Sequence, residues 1–289
     1  MDKMSQYSFV AAFISVAIAT VLYIVYAFAA RRQLSAAGSG NGTGTVALAS
    51  GRSELGSYGT TLATLGFVFL TLSLILRAVV TGHGPFANMY EFSIAFGWGI
   101  VGAYLYFERR YRLRALGALV MPVATLLLWY ASTVPSDVQP LVPALQNNLL
   151  LTVHVAVAIV AYGTFAVSFG AAVLYLFQQE YDLTWLPATD LLDEVGYRAV
   201  VIGFPFMALV IILGAVWADV AWGSYWSWDP KETASLVTWL IYGGYLHARA
   251  LRGWRGTRSA VLLLIGFGAT LFTYFGNLFF GGLHSYAGL

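Results

Sequence analysis

The chain contains no cysteine, little charge and few histidines. Without a cysteine among its 289 residues it forms no disulfide, holds no iron–sulfur cluster, offers no thiolate to a haem and performs no thiol exchange of its own. Charged residues make up 10% of the sequence, against about 25% in an average soluble domain. That scarcity excludes an ordinary soluble globular chain. The formal net charge of +2 leaves no footprint for nucleic acid. Only four side chains are plausible soft metal ligands: His83, His154, His247 and His284.

What is abundant is apolar. Repeated hydrophobic runs near twenty residues define an all-α, polytopic membrane protein, because a helix satisfies its own backbone in lipid. Eight transmembrane helices are expected, at about 7–30, 58–80, 91–107, 115–131, 149–179, 197–218, 232–249 and 260–280. The first is too long for a signal-peptide core and lacks a convincing cleavage site, so it reads as an uncleaved helix. Three parts follow: an N-terminal transmembrane helix over 1–32, a cytoplasmic Gly/Ser-rich linker over 33–57, and a transmembrane domain over 58–289. The acidic stretch 180–194 reads as a surface loop or short interfacial helix.

Lys and Arg are distributed unevenly between the two sets of loops. One side carries Arg31, Arg32, Arg52, four arginines between 109 and 114, Arg198, and four between 249 and 258. The other holds Lys3 and Lys231, with Arg77 near a helix end. By the positive-inside rule, both termini and the loop at 219–232 face away from the cytoplasm.

That loop holds the densest chemistry in the chain: Trp222-Gly-Ser-Tyr-Trp226-Ser-Trp228-Asp229-Pro-Lys231-Glu232. Trp and Tyr gather at membrane interfaces in any case, but a belt does not require rings and charges in such tight succession. Flat rings at this density fit a platform for a large planar apolar ligand, with charges at its rim. His154 enters helix five near its outer end and His284 follows helix eight, so both meet the level of this loop. Two neutral imidazoles can take the axial positions of one haem iron, with Lys231 or a nearby Arg available to propionates. His247 lies roughly 22 Å deeper than Glu232 at 1.5 Å per residue, where a histidine is a functional candidate by default. It has no histidine mate on that side. Zinc would require close ligand spacing such as His-x3-His, and no such spacing occurs. His83 is open between a ligand and a packing residue.

The Trp-rich stretch resembles the "WWD" signature of the haem-handling proteins of cytochrome c biogenesis. Gly82-His83-Gly-Pro85-x-x-Asn88-Met-Tyr90-Glu91 and Tyr245-Leu-His247-Ala-Arg249 resemble the CcsA (ResC) branch of that family. Ala234 departs from the pattern, in which a Trp often follows the Thr. The resemblance implies haem b as cargo, with His154 and His284 as an outer ligand pair around Trp222, Trp226, Trp228, Asp229 and Lys231. It implies an inner haem site at His247, completed by a CcsB (ResB)-like membrane subunit. The expected role is that of a subunit of a System II cytochrome c synthetase, in a plasma or thylakoid membrane. Such a subunit moves haem across the membrane and presents it to apocytochrome c, with thiol-reducing proteins supplying the reduced cysteines. The alternatives are a membrane dihaem electron-transfer protein and a haem-free transporter. For His83 the resemblance carries no ligand role, and Asn88, Tyr90 and Glu91 could equally cap and orient the start of helix three.

Overall fold

A computed structural model describes residues 1–37, 42–138, 141–142, 145–146, 148–181 and 186–285. Among them are eight α-helices and no strand: α1 (Asp2–Ala37), α2 (Gly42–Thr81), α3 (Met89–Tyr111), α4 (Gly117–Thr133), α5 (Asn148–Tyr181), α6 (Thr189–Trp222), α7 (Pro230–Arg252) and α8 (Thr257–Phe275). All but α3 and α7 contain a segment long and apolar enough to cross a membrane. The outward faces are hydrocarbon at helical spacing, as in Val68, Leu72, Ile75 and Val79 of α2 and Leu209, Ile212, Val216 and Val220 of α6. Such faces are matched to lipid rather than water. The chain is a multi-pass α-helical membrane protein.

α1 and α2 pack as a pair, and α1 also lies against α4. α3 packs against both α4 and α5. α5 runs beside α6 and α8, and α7 lies mainly on α8. The α3–α5 crossing is close because Gly99 and Gly163 face each other; a Cβ on Gly163 would meet the Gly99 carbonyl. Small residues allow this approach where lipid provides no hydrophobic drive between helices.

Four boundaries differ from the sequence expectation. α6 begins at Thr189, so the second half of 180–194 is helix, while residues 182–185 lie outside the described ones. α6 continues to Trp222, where Gly223 adopts a left-handed φ of 74° and donates its N–H to Asp219 O. The loop therefore shortens to 223–229. α8 stops at Phe275 and passes into a 3-10 turn at Gly276–Leu278, as glycines at 276, 281 and 282 disfavour further helix. Helix also extends into 33–57 from both sides, to Ala37 and from Gly42. Residues 38–41 lie outside the described ones.

The motif around His83 secures the start of α3. Asn88 caps the helix by accepting the Glu91 N–H at 2.9 Å, and Glu91 returns to accept the Ala87 N–H at 2.8 Å. The other Glu91 oxygen receives Arg77 Nε at 2.8 Å, with both residues 2% exposed. Arg77 also reaches Asp2 at 3.1 Å, which ties the start of α1 to α2 and α3. Removing one partner of a buried pair leaves an uncompensated charge. Arg77→Ala is therefore expected to destabilise the protein by about 3–5 kcal/mol. Arg198→Ala, which breaks the exposed pair with Glu194, should leave the unfolding midpoint unchanged. Thermal unfolding in detergent, followed by tryptophan fluorescence, compares the two.

Candidate functional site

The site is built on the first turn of α7. Asp229 is the N-cap and Glu232 completes a capping box, with Pro230 opening the helix. Asp229 Oδ1 accepts the Lys231 N–H at 2.9 Å, and Glu232 Oε2 accepts the N–H groups of Ser227 at 2.9 Å and Asp229 at 3.1 Å. The loop is thus folded back onto its own helix start. The remaining Asp229 oxygen accepts the Leu283 N–H at 2.6 Å, and Oδ1 lies 2.9 Å from His284 Nδ1. One carboxylate therefore holds the segment after α8 against the head of α7.

Burial by itself would raise the Asp229 carboxyl, but the His284 ring and the N–H groups of Lys231 and Leu283 outweigh it and hold the group down at about 2. Burial pushes the His284 imidazole down; the Asp229 bond opposes this and the Lys231 charge adds to it, with a net lowering. The neutral ring, the form that binds metals, is favoured. With Nδ1 donating to the carboxylate, Nε2 is the acceptor nitrogen, the arrangement that orients metal-bound histidines.

His154 comes from α5, far away in sequence, and lines the same cavity as His284. The Trp217 indole of α6 contacts both rings, at a centroid distance of 6.4 Å from His154 and 5.6 Å from His284. Trp222 stands edge-on to His284 at 4.8 Å and to Trp217 at 4.7 Å. The His154 ring lies against Gly214, where a Cβ would come within 2.9 Å of it. His154 Nδ1 is buried with no hydrogen-bond partner among the described residues. The cavity measures about 110 Å³, and Phe92, Phe96, Tyr162, Tyr274, Trp226 and Lys231 contribute to its walls. Lys231 Nζ lies 5.7 Å from the centre of the Phe92 ring and has no ion pair among the described residues.

The three loop tryptophans play different parts. Trp226 lines the cavity, and Trp222 supports it from the end of α6. Trp228 is 69% exposed, edge-on to Trp226 at 5.7 Å. Its φ of 60° is a left-handed conformation costly for a residue with a bulky side chain. His83 is not a wall of the cavity; its Nδ1 lies 2.8 Å from the Gly84 carbonyl. His247 is exposed near the opposite end of α7. No cluster of three His, Asp or Glu suited to a metal ion occurs among the described residues. Sequence reading missed Trp217, Gly214 and the aromatic walls from α3, α5 and α8. A tryptophan inside an apolar span reads as ordinary core, so only its position five residues before Trp222 marked it.

The family model described as cytochrome C assembly protein matches residues 86–284. The chain belongs to the cytochrome c assembly protein family. The matched region starts just before α3 and ends on His284, so it contains every wall of the cavity and leaves α1 and α2 outside. Similar proteins include the cytochrome c biogenesis protein CcsA of Guillardia theta, 36% identical over 80% of this chain and 85% of that protein. The CcsA of Prochlorococcus marinus (strain NATL2A) is 38% identical over 78% of this chain and 83% of its own length. Among solved structures, the cytochrome c haem lyase CcmF superimposes with a TM-score of 0.61 at 21% identity. It covers 93% of this chain, which spans 46% of CcmF, and the likeness is one of fold. As a member of the cytochrome c assembly family, the chain acts in cytochrome c maturation.

Asp229→Ala removes both the α7 cap and the anchor of the 283–284 segment. Loss of the cap alone is expected to cost about 1–2 kcal/mol. Asp229→Asn keeps a capping oxygen and should cost less than the alanine variant. Thermal unfolding of the two variants beside the parent measures the difference.

Proposed function

We propose that the cavity binds haem b, with His154 and His284 as its two axial ligands, and that the chain is the haem-handling subunit of a System II cytochrome c synthetase. The observation that carries this reading is the meeting of two sequence-distant histidines on one aromatic cavity, one ring backed by a carboxylate and the other buried with an unpartnered nitrogen. The donor set fits an iron porphyrin: neutral imidazoles for the iron, flat rings for the macrocycle, and the Lys231 ammonium for a propionate. The volume of about 110 Å³ is below the roughly 150 Å³ that holds one benzene. A porphyrin therefore enters only as the rim moves aside, and Tyr225, which lines the cavity and is 60% exposed, is part of that rim.

The haem supplies two vinyl groups, and each thioether forms by addition of a cysteine S–H across a vinyl C=C. This chain's own residues hold and orient. Asp229 fixes the His284 ring, Trp217 and Trp222 set the spacing of the wall, and Lys231 directs the propionate edge. The arginine-rich end faces the cytoplasm, so the cavity opens outward, where the Cys-x-x-Cys-His segment of apocytochrome c arrives. Thiol-reducing proteins keep those cysteines reduced, since the chain has none of its own.

His247 belongs to a second, inner haem position reached before transfer to the outer cavity. It sits in an exposed stripe of α7 formed by Val237, Leu240, Gly244, His247 and Leu251. Spacings of three and four are those of a helix–helix seam, and we assign this seam to a CcsB (ResB)-like subunit that supplies the second ligand. A dihaem electron-transfer protein would need its own histidine pair at that depth. His83, His154 and His284 all lie at the opposite end of the molecule from His247.

The test is the absorption spectrum of the detergent-purified protein, co-expressed with its partner subunit. The parent should show a b-type haem spectrum. His154→Ala/His284→Ala should lose most of it, and added imidazole should restore it. A parent protein that stays free of haem with its partner present would overturn the reading in favour of a haem-free transporter. His247→Ala should lower haem content in the complex without altering the imidazole response of the outer site.

A further inference from the structure

At the end of the molecule opposite the cavity, α7 and α8 are joined by a short turn within Arg252-Gly-Trp254-Arg255-Gly-Thr-Arg258. Its shape is fixed by backbone geometry. Gly253 and Gly256 take left-handed φ values of 61° and 73°. The Gly253 and Trp254 N–H groups both donate to Ala248 O, and Ser259 Oγ donates to Trp254 O at 3.0 Å. A Cβ on Gly256 would come within 2.9 Å of the Tyr175 hydroxyl, so the turn is seated against α5.

Between the turn and α5 lies a concavity of about 510 Å³, whose walls include Tyr175, Gln179, Arg252, Trp254, Arg255 and Arg258. The three guanidinium groups share this one hollow, and none has an ion-pair partner among the described residues. Of the nearby carboxylates, Asp193 takes Arg249 through two bonds of 2.9 and 2.6 Å and Glu194 takes Arg198. Asp190 acts on Tyr175 without forming an ion pair with the three arginines among the described residues. Three like charges around a hollow repel one another until an anion joins them, and the planar guanidinium fork suits phosphate oxygens. Beside the hollow, Leu251 is 71% exposed and Trp254 is half-buried, with Arg258 5.7 Å from its ring centre. An aromatic ring, an exposed aliphatic side chain and clustered arginines are what a headgroup with its acyl chain would meet at a bilayer boundary.

We propose that this concavity binds the phosphate headgroup of an anionic phospholipid. A choline headgroup would bring a further cation among the three arginines, so the hollow selects against it. The site is separate from the haem cavity and needs only that the chain lie in a membrane.

Native mass spectrometry of the full-length protein in mild detergent, titrated with phosphatidylglycerol or phosphatidylcholine, tests the assignment. Phosphatidylglycerol should be retained about tenfold more than phosphatidylcholine, in keeping with the attraction of clustered arginines to anionic lipid. Arg252→Gln/Arg255→Gln/Arg258→Gln should reduce that ratio to near unity, while Arg109→Gln/Arg110→Gln/Arg112→Gln, which removes the same number of charges from the end of α3, should preserve it. Equal retention of the two lipids by the parent would overturn the proposal, as would an equal fall in both variants. Saturable binding of inorganic phosphate by the parent without a lipid preference would assign the hollow to a soluble phosphate instead. A circular dichroism spectrum matching the parent shows that the triple variant is folded, so that a retained lipid preference in it counts against the site.

Discussion

The carboxylate of Asp229 serves two separate parts of the chain at once. Toward its own helix it accepts the Lys231 N–H and starts α7; toward the C-terminal segment it receives the Leu283 N–H and holds the His284 ring. Residues 279–284 belong to no helix, so this contact positions a ring that would otherwise be set only by chain length. Glu232 does the complementary work on the loop, gathering the N–H groups of Ser227 and Asp229. The spacing Asp-Pro-Lys-Glu therefore has a local physical reason. It is the start of a helix whose capping groups have been extended to hold a distant histidine. The Trp residues before it are held by the same turn, and Trp222, at the end of α6, closes the wall from the other side.

Much of this was legible in the sequence, because apolar runs and capping residues are local signals. The eight helices, the Asn88–Glu91 start of α3, and the convergence of His154 and His284 on one end all follow from length, period and loop parity. The convergence on one cavity does not, because it depends on how α5, α6 and α8 pack side by side. Trp217 illustrates the difference. Nothing in an apolar helix distinguishes a tryptophan that faces lipid from one that contacts two histidines, and the residue that makes room for His154 is Gly214, which has no side chain to notice. Trp222 was misplaced for a related reason: an aromatic at a helix end and one in a loop have the same composition, and only the left-handed Gly223 fixes the boundary. Arg77 read as a charge near a helix end, whereas its pairing with Glu91 and Asp2 is long-range and sets three helices together.

The two ends of the molecule solve the problem of charge differently. At the cavity end most of the carboxylates are consumed internally: Glu91 by Arg77 and the start of α3, Asp229 and Glu232 by α7 and its loop. Lys231 faces the Phe92 ring and forms no ion pair among the described residues, which suits a site that receives an acidic edge. At the other end Asp193 and Glu194 neutralise Arg249 and Arg198, but the turn between α7 and α8 keeps three guanidinium groups in excess. A surplus of Lys and Arg in one set of loops is the asymmetry that orients a polytopic chain, whatever the carboxylates do. Concentrating part of that excess in a walled hollow adds a demand for a bound anion that orientation alone does not require.

α7 connects these two ends, and it is the helix least able to face lipid by itself. Its polar residues include Lys231, Glu232, His247, Arg249 and Arg252, and it is not among the helices apolar enough to cross a membrane unaided. It packs mainly on α8 along one side, leaving Val237, Leu240, Gly244, His247 and Leu251 uncovered. A histidine in that stripe would meet hydrocarbon within the bilayer, where a polar side chain without a partner is costly. Gly244 has open space where a Cβ would stand, so another helix can approach the backbone closely there. The same face thus presents a polar group that needs cover and a gap that admits a helix. An additional subunit on this face would satisfy both, and it would do so at the depth where His247 has no mate within its own chain.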